Sequence, residues 1–311
     1  MKPLIRIGSR GSPLALAQAR DIQRRLARKF PRFRFSLEVV PTTGDEFQSV
    51  EIFKKTNIGV FTKAIEKRLM SGEIDIAVHS LKDLPTHSPK GLCLAAFPKR
   101  LNSQDVLVSR KRHSLKTLPP GALVGTGSPR RKSQLALARP DLRLVDIRGN
   151  LGTRIKKVIH EKKMDAVVIA RAGLVRLKKY LRYASPLDNT QILPAVGQGA
   201  LGIQTRKKDR RVRQMLQTLN HPQTEKEVLA ERVFLRTLGG GCRVPVGIYS
   251  RIQNHRIHLT AAVFSVKDRQ YVRSKINGPV KHFKKIAVTL AKKLLKMGAA
   301  HFLRQAREEI A

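Results

Sequence analysis

At 311 residues the chain is long enough for two or three domains with cores of their own, at roughly 150 residues to a domain. Its apolar share of 41% and charged share of 27% are those of an ordinary globular protein and weigh against a disordered or fibrous chain. The 63 Lys and Arg against 22 Asp and Glu leave a net charge of +41, which draws polyanions of any kind. Aromatics make up only 5% and Trp is absent, so the stacking platforms of single-strand nucleic-acid binders are missing and a solvated basic surface is the expected reading.

Met1–Arg6 runs into a strand-like segment without the roughly 7 to 15 apolar residues of a signal peptide, and no run approaches the ~18 apolar residues of a membrane span. The expected compartment is the cytoplasm, with no membrane partner. Cys93 and Cys242 do not make a disulfide framework, and no Cys/His cluster has zinc-site spacing, so no metal is expected.

Taken in order, Ile7-Gly8-Ser9-Arg10-Gly11-Ser12-Pro13 reads as a strand end and a Gly/Ser turn, followed by a helix capped by Ser12 with Pro13 in its first turn. Asp75 to His79 is a short apolar run of the kind that forms a buried parallel strand, and it delivers His79-Ser80-Leu81-Lys82-Asp83-Leu84-Pro85 to the mouth of a sheet. A second apolar strand, Leu92 to Phe97, precedes a polar linker at Pro98 to Ser103. The first design then repeats. Val124-Gly125-Thr126-Gly127-Ser128-Pro129-Arg130-Arg131 predicts another strand, turn and helix with Ser128 as cap, and Asp165 to Ile169 repeats the buried strand. Beyond Pro222 a helix at Glu225 to Leu238 leads to three strand-like runs, Val244 to Arg251, Arg256 to Val266 and Gln270 to Ile276. A long amphipathic helix from about Val280 to Arg307 follows, with a lysine-rich outer face. The expected architecture is two α/β lobes and a separate α+β domain.

Each Gly/Ser turn at a helix N-terminus offers free backbone N–H groups and the positive end of a helix dipole, which suits a carboxylate or phosphate. Arg10, Arg130 and Arg131, with Arg148 and Arg154 in Asp146 to Arg154, add planar forks that hold carboxylates in pairs and stay charged. Several such forks on loops at strand ends point to a ligand with several carboxylates; surface arginines of a very basic protein are the alternative from composition alone. Asp83 beside Lys82 would stay ionised and could support a cationic intermediate, although a turn cap ahead of Pro85 is the commoner role. His79 reads as a packed core histidine. In Leu238 to Gly247 a triple glycine presents Cys242, with Arg243 favouring the thiolate; from spacing alone a small structural residue at a tight turn is the commoner occupant. Cys93 reads as core.

In these ordered blocks the chain resembles the porphobilinogen deaminases, also called hydroxymethylbilane synthases. The blocks are Arg10 to Leu16, Asp75 to Pro85 (DIAVHSLKDLP), Gly125 to Arg131, Arg148 to Arg154 (RGNLGTR), Ala172 to Leu177, Leu193 to Ala200 (LPAVGQGA) and Gly240-Gly241-Cys242. The resemblance implies an α/β fold of two periplasmic-binding-protein-like lobes with mixed sheets, residues 1–98 with 199–217 and 103–194, plus a smaller C-terminal α+β domain, 222–311, that carries the cofactor. It implies a dipyrromethane cofactor on a thioether to Cys242 and Asp83 as the catalytic carboxylate. The implied reaction is stepwise condensation of four porphobilinogen molecules with loss of ammonia, through an azafulvene, ending in hydrolytic release of a linear tetrapyrrole for a uroporphyrinogen-III synthase. It also implies that Arg10, Ser12, Ser80, Lys82, Thr126, Ser128, Arg130, Arg131, Arg148, Arg154, Arg176 and Gln198 bind substrate or cofactor, and that the protein is a monomer. Lys54 to Val60, in the loop 46–60, departs from the family's glycine- and lysine-rich stretch, while Phe61 after it is kept; Gly239 stands where an acidic residue is usual, Arg243 where a glutamine is, and Gly127 and Pro129 alter the second turn.

Overall fold

The computed structural model describes residues 2–41, 62–239 and 244–309. The chain opens with β1 (Leu4–Ser9), α1 (Pro13–Lys29) and β2 (Arg34–Val39), and resumes with α2 (Lys63–Ser71) and β3 (Ile76–Ser80). A single 3-10 turn (Leu81–Asp83) and β4 (Leu92–Ala96) complete this stretch. Next come β5 (Asp105–Ser109), β6 (Leu123–Gly125), α3 (Pro129–Ala138), β7 (Arg143–Val145) and α4 (Leu151–Ile159). They are followed by β8 (Ala166–Ala170), α5 (Arg171–Leu177) and β9 (Ala184–Pro186). After β10 (Leu201–Arg206) and α6 (Arg210–Gln217), α7 (Pro222–Thr237) leads to β11 (Val246–Gln253), β12 (Arg256–Phe264) and β13 (Tyr271–Pro279). The last helices are α8 (Phe283–Leu294) and α9 (Ala300–Glu308).

Contacts divide the chain into two compact units, Met1–Leu101 with Ala200–Glu225, and Asn102–Gly199 with Lys226–Ala311. The first holds a five-stranded mixed sheet in the order β2-β1-β3-β10-β4, in which β10 alone runs against its neighbours. Apolar residues of α1 and α6, among them Ile22, Leu26 and Leu216, cover one face with Ile7, Ile76 and Val78. Ile65 and Leu69 of α2 cover the other with Ile74 and Ala77. The second unit holds a sheet of the same design, β7-β6-β8-β5-β9, with β5 as the antiparallel strand, and also the three-stranded antiparallel sheet β11-β12-β13. The small sheet packs Ile248, Ile257, Leu259 and Val263 under α8 and α9 through Leu290, Leu294 and Phe302.

The duplication read from the sequence extends to single atoms. Asp75, just before β3, accepts the backbone N–H of Arg6 at 2.9 Å, and Asp165, just before β8, accepts that of Leu123 at 2.8 Å. Gly8 and Gly125 fill matching places: a Cβ at either would collide with the residue before that aspartate, Ile74 or Met164.

One element differs from the expectation. The run Val280 to Arg307 is not one helix: Gly298, at φ +104°, breaks it between α8 and α9. Only glycine takes that conformation without steric cost, so the interruption follows from the residue. Among the described residues no helix is long and apolar enough to cross a membrane.

Candidate active site

In the first unit the predicted residues emerge at the C-terminal ends of β1 and β3, adjacent parallel strands with Gly8 opposite Ala77. Open α/β sheets bind ligands outside such ends. Arg10 is half-buried in the turn after β1. Ser12 caps α1 as expected, its hydroxyl accepting the N–H of Ala15 at 3.3 Å, with Pro13 following in the first turn. Ser80 is tied down: its hydroxyl meets the Gln18 amide nitrogen at 2.8 Å and the amide oxygen at 3.1 Å. The N–H of Leu81 on the carbonyl of Ala200, at 3.1 Å, fixes the start of the next turn. Lys82 is half-buried and Asp83 is exposed, so the carboxylate stands at the strand mouth on a pinned 3-10 turn.

In the second unit Thr126, Ser128, Arg130 and Arg131 follow β6, Arg148 and Arg154 follow β7, and Arg176 lies on α5 after β8, again at the ends of adjacent parallel strands. Ser128 occupies the cap position of α3, but its side chain makes no capping bond. Its backbone, at φ −104° and ψ 116°, departs from the −65° and 145° of Ser12, and Thr126 Oγ1 instead accepts the Ser128 N–H at 3.3 Å. Among the described residues the Ser128 hydroxyl has no hydrogen-bond partner.

Arg130 and Arg131 are buried, at 3% and 6% exposure, and both reach Asp105, at 0%. Arg131 Nη2 donates to Oδ1 at 2.7 Å; Arg130 Nη2 lies 2.9 Å from Oδ2, an ionic contact without hydrogen-bond alignment. Their Nη1 groups donate to the carbonyls of Leu193 and Val168. Burial lowers the Arg130 pKa, against the opposing pull of Asp105. Arg131 Nε is buried without a hydrogen-bond partner among the described residues. Arg154 Nε holds the carbonyl of Gly149 at 2.8 Å, and Arg176 Nη2 that of Gly199 at 2.8 Å.

Gln198 is fully buried, and its amide donates to Ser103 O at 2.6 Å and to Asp105 Oδ1 at 2.8 Å. Around it Leu193 to Gly199 forms a hub. Gln134 bonds the Leu193 backbone in both directions, Pro194 accepts the N–H of Ile248 at 2.9 Å, and Gly197 donates to Glu231 on α7 at 2.7 Å. Cys242, with residues 46–60, lies outside the described residues. Cys93 is half-buried on β4 instead of being core, and burial raises its thiol pKa against the nearby charges of Arg213 and Lys207.

His79 is buried, with Nε2 on Gln204 Oε1 at 3.1 Å; burial, helped by the charge of Arg10, takes its pKa down to about 4. A neutral imidazole with one nitrogen so occupied is part of the frame. Gln18, Asp105, Gln134 and Glu231 were not found by sequence reasoning. The only signal was position: Gln18 and Gln134 each stand five residues after the proline of a repeated turn. No group of three or more His, Cys, Asp or Glu among the described residues could hold a metal.

An α/β scaffold that places hydroxyls, helix N-termini, arginines and the exposed carboxylate of Asp83 at parallel strand ends defines a class: a protein that handles small polycarboxylates. A family model described as "Porphobilinogen deaminase, dipyromethane cofactor binding domain" matches residues 5–214, and "Porphobilinogen deaminase, C-terminal domain" matches residues 225–296. The porphobilinogen deaminase of Chlorobium phaeobacteroides strain BS1 is 44% identical over 99% of both chains, and that of Chlorobaculum tepidum 43% identical over 99% of both. The benzoate-bound effector-binding domain of BenM superposes loosely, at 13% identity over 70% of this chain and 92% of its own, with a TM-score of 0.42. The chain belongs to the porphobilinogen deaminase family, enzymes of tetrapyrrole synthesis that carry a dipyrromethane cofactor.

Proposed function

We propose that the protein is a transferase that joins four porphobilinogen molecules, with loss of ammonia, on a dipyrromethane held by Cys242, and releases hydroxymethylbilane by hydrolysis. The observation that carries this reading is Arg131 Nε, a buried cationic donor without a partner among the described residues, on the first turn of the helix that Ser128 precedes with its hydroxyl making no capping bond. That donor set fits a carboxylate, and pyrroles bearing acetate and propionate supply many.

The dipyrromethane, when bound, supplies the free pyrrole α-carbon to which each new unit is joined. Arg10, Arg131, Arg148, Arg154 and Arg176 hold acetate and propionate groups, helped by the N-termini of α1 and α3. Ser12, Ser80, Lys82, Thr126 and Ser128 shape the same loops. Asp83, exposed on its pinned turn, places negative charge where a pyrrole nitrogen becomes positive as ammonia departs. The C-terminal region, 222–311, acts as the attachment domain of the two lobes 1–98 with 199–217 and 103–194. The product passes to a uroporphyrinogen-III synthase in the cytoplasm.

Intact mass tests the proposal directly. The purified protein should exceed its sequence mass by two pyrrole units, and Cys242→Ala should remove the excess while Cys93→Ala keeps it. A mass equal to the sequence, unchanged after porphobilinogen is added, would sink the proposal.

A further inference from the structure

We infer that Asp105 is the positioning residue of this site: it neutralises one of two adjacent buried arginines and aims the other, so that Arg131 meets its ligand with a fixed Nε–H and one net positive charge. The inference rests on the carboxylate-binding reading above and extends it to a residue that touches no ligand.

The geometry is specific. Arg130 and Arg131 are consecutive on the first turn of α3, where side chains diverge by about 100°, yet both guanidinium groups close on the carboxylate of Asp105. Among the described residues Asp105 is the one carboxylate that either of them meets. The Gln198 amide on Oδ1 at 2.8 Å favours the ionised carboxylate. With Nη1 of Arg131 held by Val168 O and Nη2 by Asp105, the guanidinium plane is set, and Nε is its one nitrogen without a hydrogen-bond partner among the described residues.

The duplicated sheets show that the fold itself does not need this aspartate. Asp105 begins β5 opposite Ala170, the last residue of β8; in the first unit Leu201 begins β10 opposite Ser80, the last residue of β3. Pro129-Arg130-Arg131 opens α3 where Pro13-Leu14-Ala15 opens α1. Apolar residues occupy all three places in one unit, and an aspartate with two arginines occupies them in the other. A buried carboxylate present only where the arginine pair is present belongs to the pair.

The apolar version in the first unit also supplies the substitutions for the test. Arg130→Leu leaves Arg131 with Asp105; Asp105→Leu in that background takes the carboxylate away. The double variant leaves Arg131 charged and without its carboxylate in a buried place, so it should melt several degrees below Arg130→Leu. Its apoprotein should gain cofactor mass on addition of porphobilinogen about tenfold more slowly, and the KM of the loaded enzyme for porphobilinogen should rise about tenfold with little change in kcat. Gln198→Leu should move both quantities the same way by a smaller factor, and it carries the test if the double variant does not fold. Mass uptake and KM that match Arg130→Leu, or a fall in melting temperature alone, would overturn the role of Asp105. Arg131→Gln separates the two claims: if it too leaves uptake and KM unchanged, the carboxylate-binding reading of this site fails with it.

Discussion

His79 and Gln204 are joined inside the first unit's sheet by a 3.1 Å hydrogen bond, and Gln204 passes the contact on to Glu66 of α2 at 2.9 Å. An amide oxygen only accepts, so the imidazole is its donor, and this buried chain holds α2 against the strand that delivers Asp83.

That chain sets a pH dependence. Burial takes the His79 pKa from 6.5 to about 4, so the unfolded state binds the proton first as pH falls. The stability contributed by neutral His79 is complete above pH 6.5, is lost between about 6.5 and 4, and amounts to on the order of 3 kcal/mol at most. Glu66 acts with the opposite sign: burial raises its pKa above 4.5, so its contribution fades as pH rises through the folded value. In a Glu66→Gln background, urea midpoints measured from pH 4 to 7 should climb with pH, and adding His79→Gln should flatten the climb. An unchanged slope would place the titrating group elsewhere.

Asp83 is exposed on a turn fixed by backbone bonds to Ala200 and within the turn itself. Asp83→Asn should therefore leave the melting temperature within a degree or two while lowering kcat by about 10²- to 10³-fold, the loss expected when one preorganised electrostatic partner is removed. Cofactor mass should be retained. A variant with normal kcat would remove Asp83 from the reaction.

Cys93 gives a chemical contrast. Half-buried on β4, with its pKa raised by burial, it reacts as a poor thiolate. In a Cys242→Ala protein, iodoacetamide at pH 7.5 should label Cys93 severalfold more slowly than it labels a small free thiol, and urea should remove the difference. Rapid labelling in the native protein would contradict the protection by burial.

Much of the scaffold is legible in the sequence because it rests on local rules. Apolar runs behind Asp75 and Asp165 became β3 and β8, and Ser12-Pro13 opened a helix as capping chemistry requires. The arginines were legible as anion binders but not as buried side chains, since arginine is expected at the surface unless a partner is known. The partner, Asp105, stands at the head of an ordinary apolar strand and is brought to Arg130 and Arg131 only by tertiary pairing. The same holds for Gln198 and Gln134, whose amides bond backbone far away in sequence. Ser128 misled because its residue type suits a cap while its backbone dihedrals depart from those of Ser12; Gly298 was passed over because one glycine in an amphipathic pattern is usually tolerated.

The hub at Leu193 yields the last prediction. Gly247 on β11 faces this segment so closely that a Cβ would stand 2.6 Å from the Leu193 Cβ and 3.2 Å from its carbonyl oxygen, neither of which is the flexible end of a side chain. That same carbonyl accepts from Arg130 Nη1 and from Gln134. Gly247→Ala must push the small sheet and the segment apart, at a cost of about 1–3 kcal/mol typical of overpacking. The push is delivered to the carbonyl that anchors Arg130. The variant should melt several degrees lower, and KM for porphobilinogen should rise more than kcat falls, because Arg130 shares Asp105 with Arg131, and Arg131 binds carboxylate without taking part in bond making. Gly121→Ala is the control for lost stability without a clash: Gly121 has a positive φ of +71°, where a side chain is strained, but nothing lies within 4 Å of its added Cβ, so it should lower the melting temperature and leave KM alone. Equal effects of the two substitutions on KM would show that Leu193 does not transmit packing at the small sheet to the arginine pair.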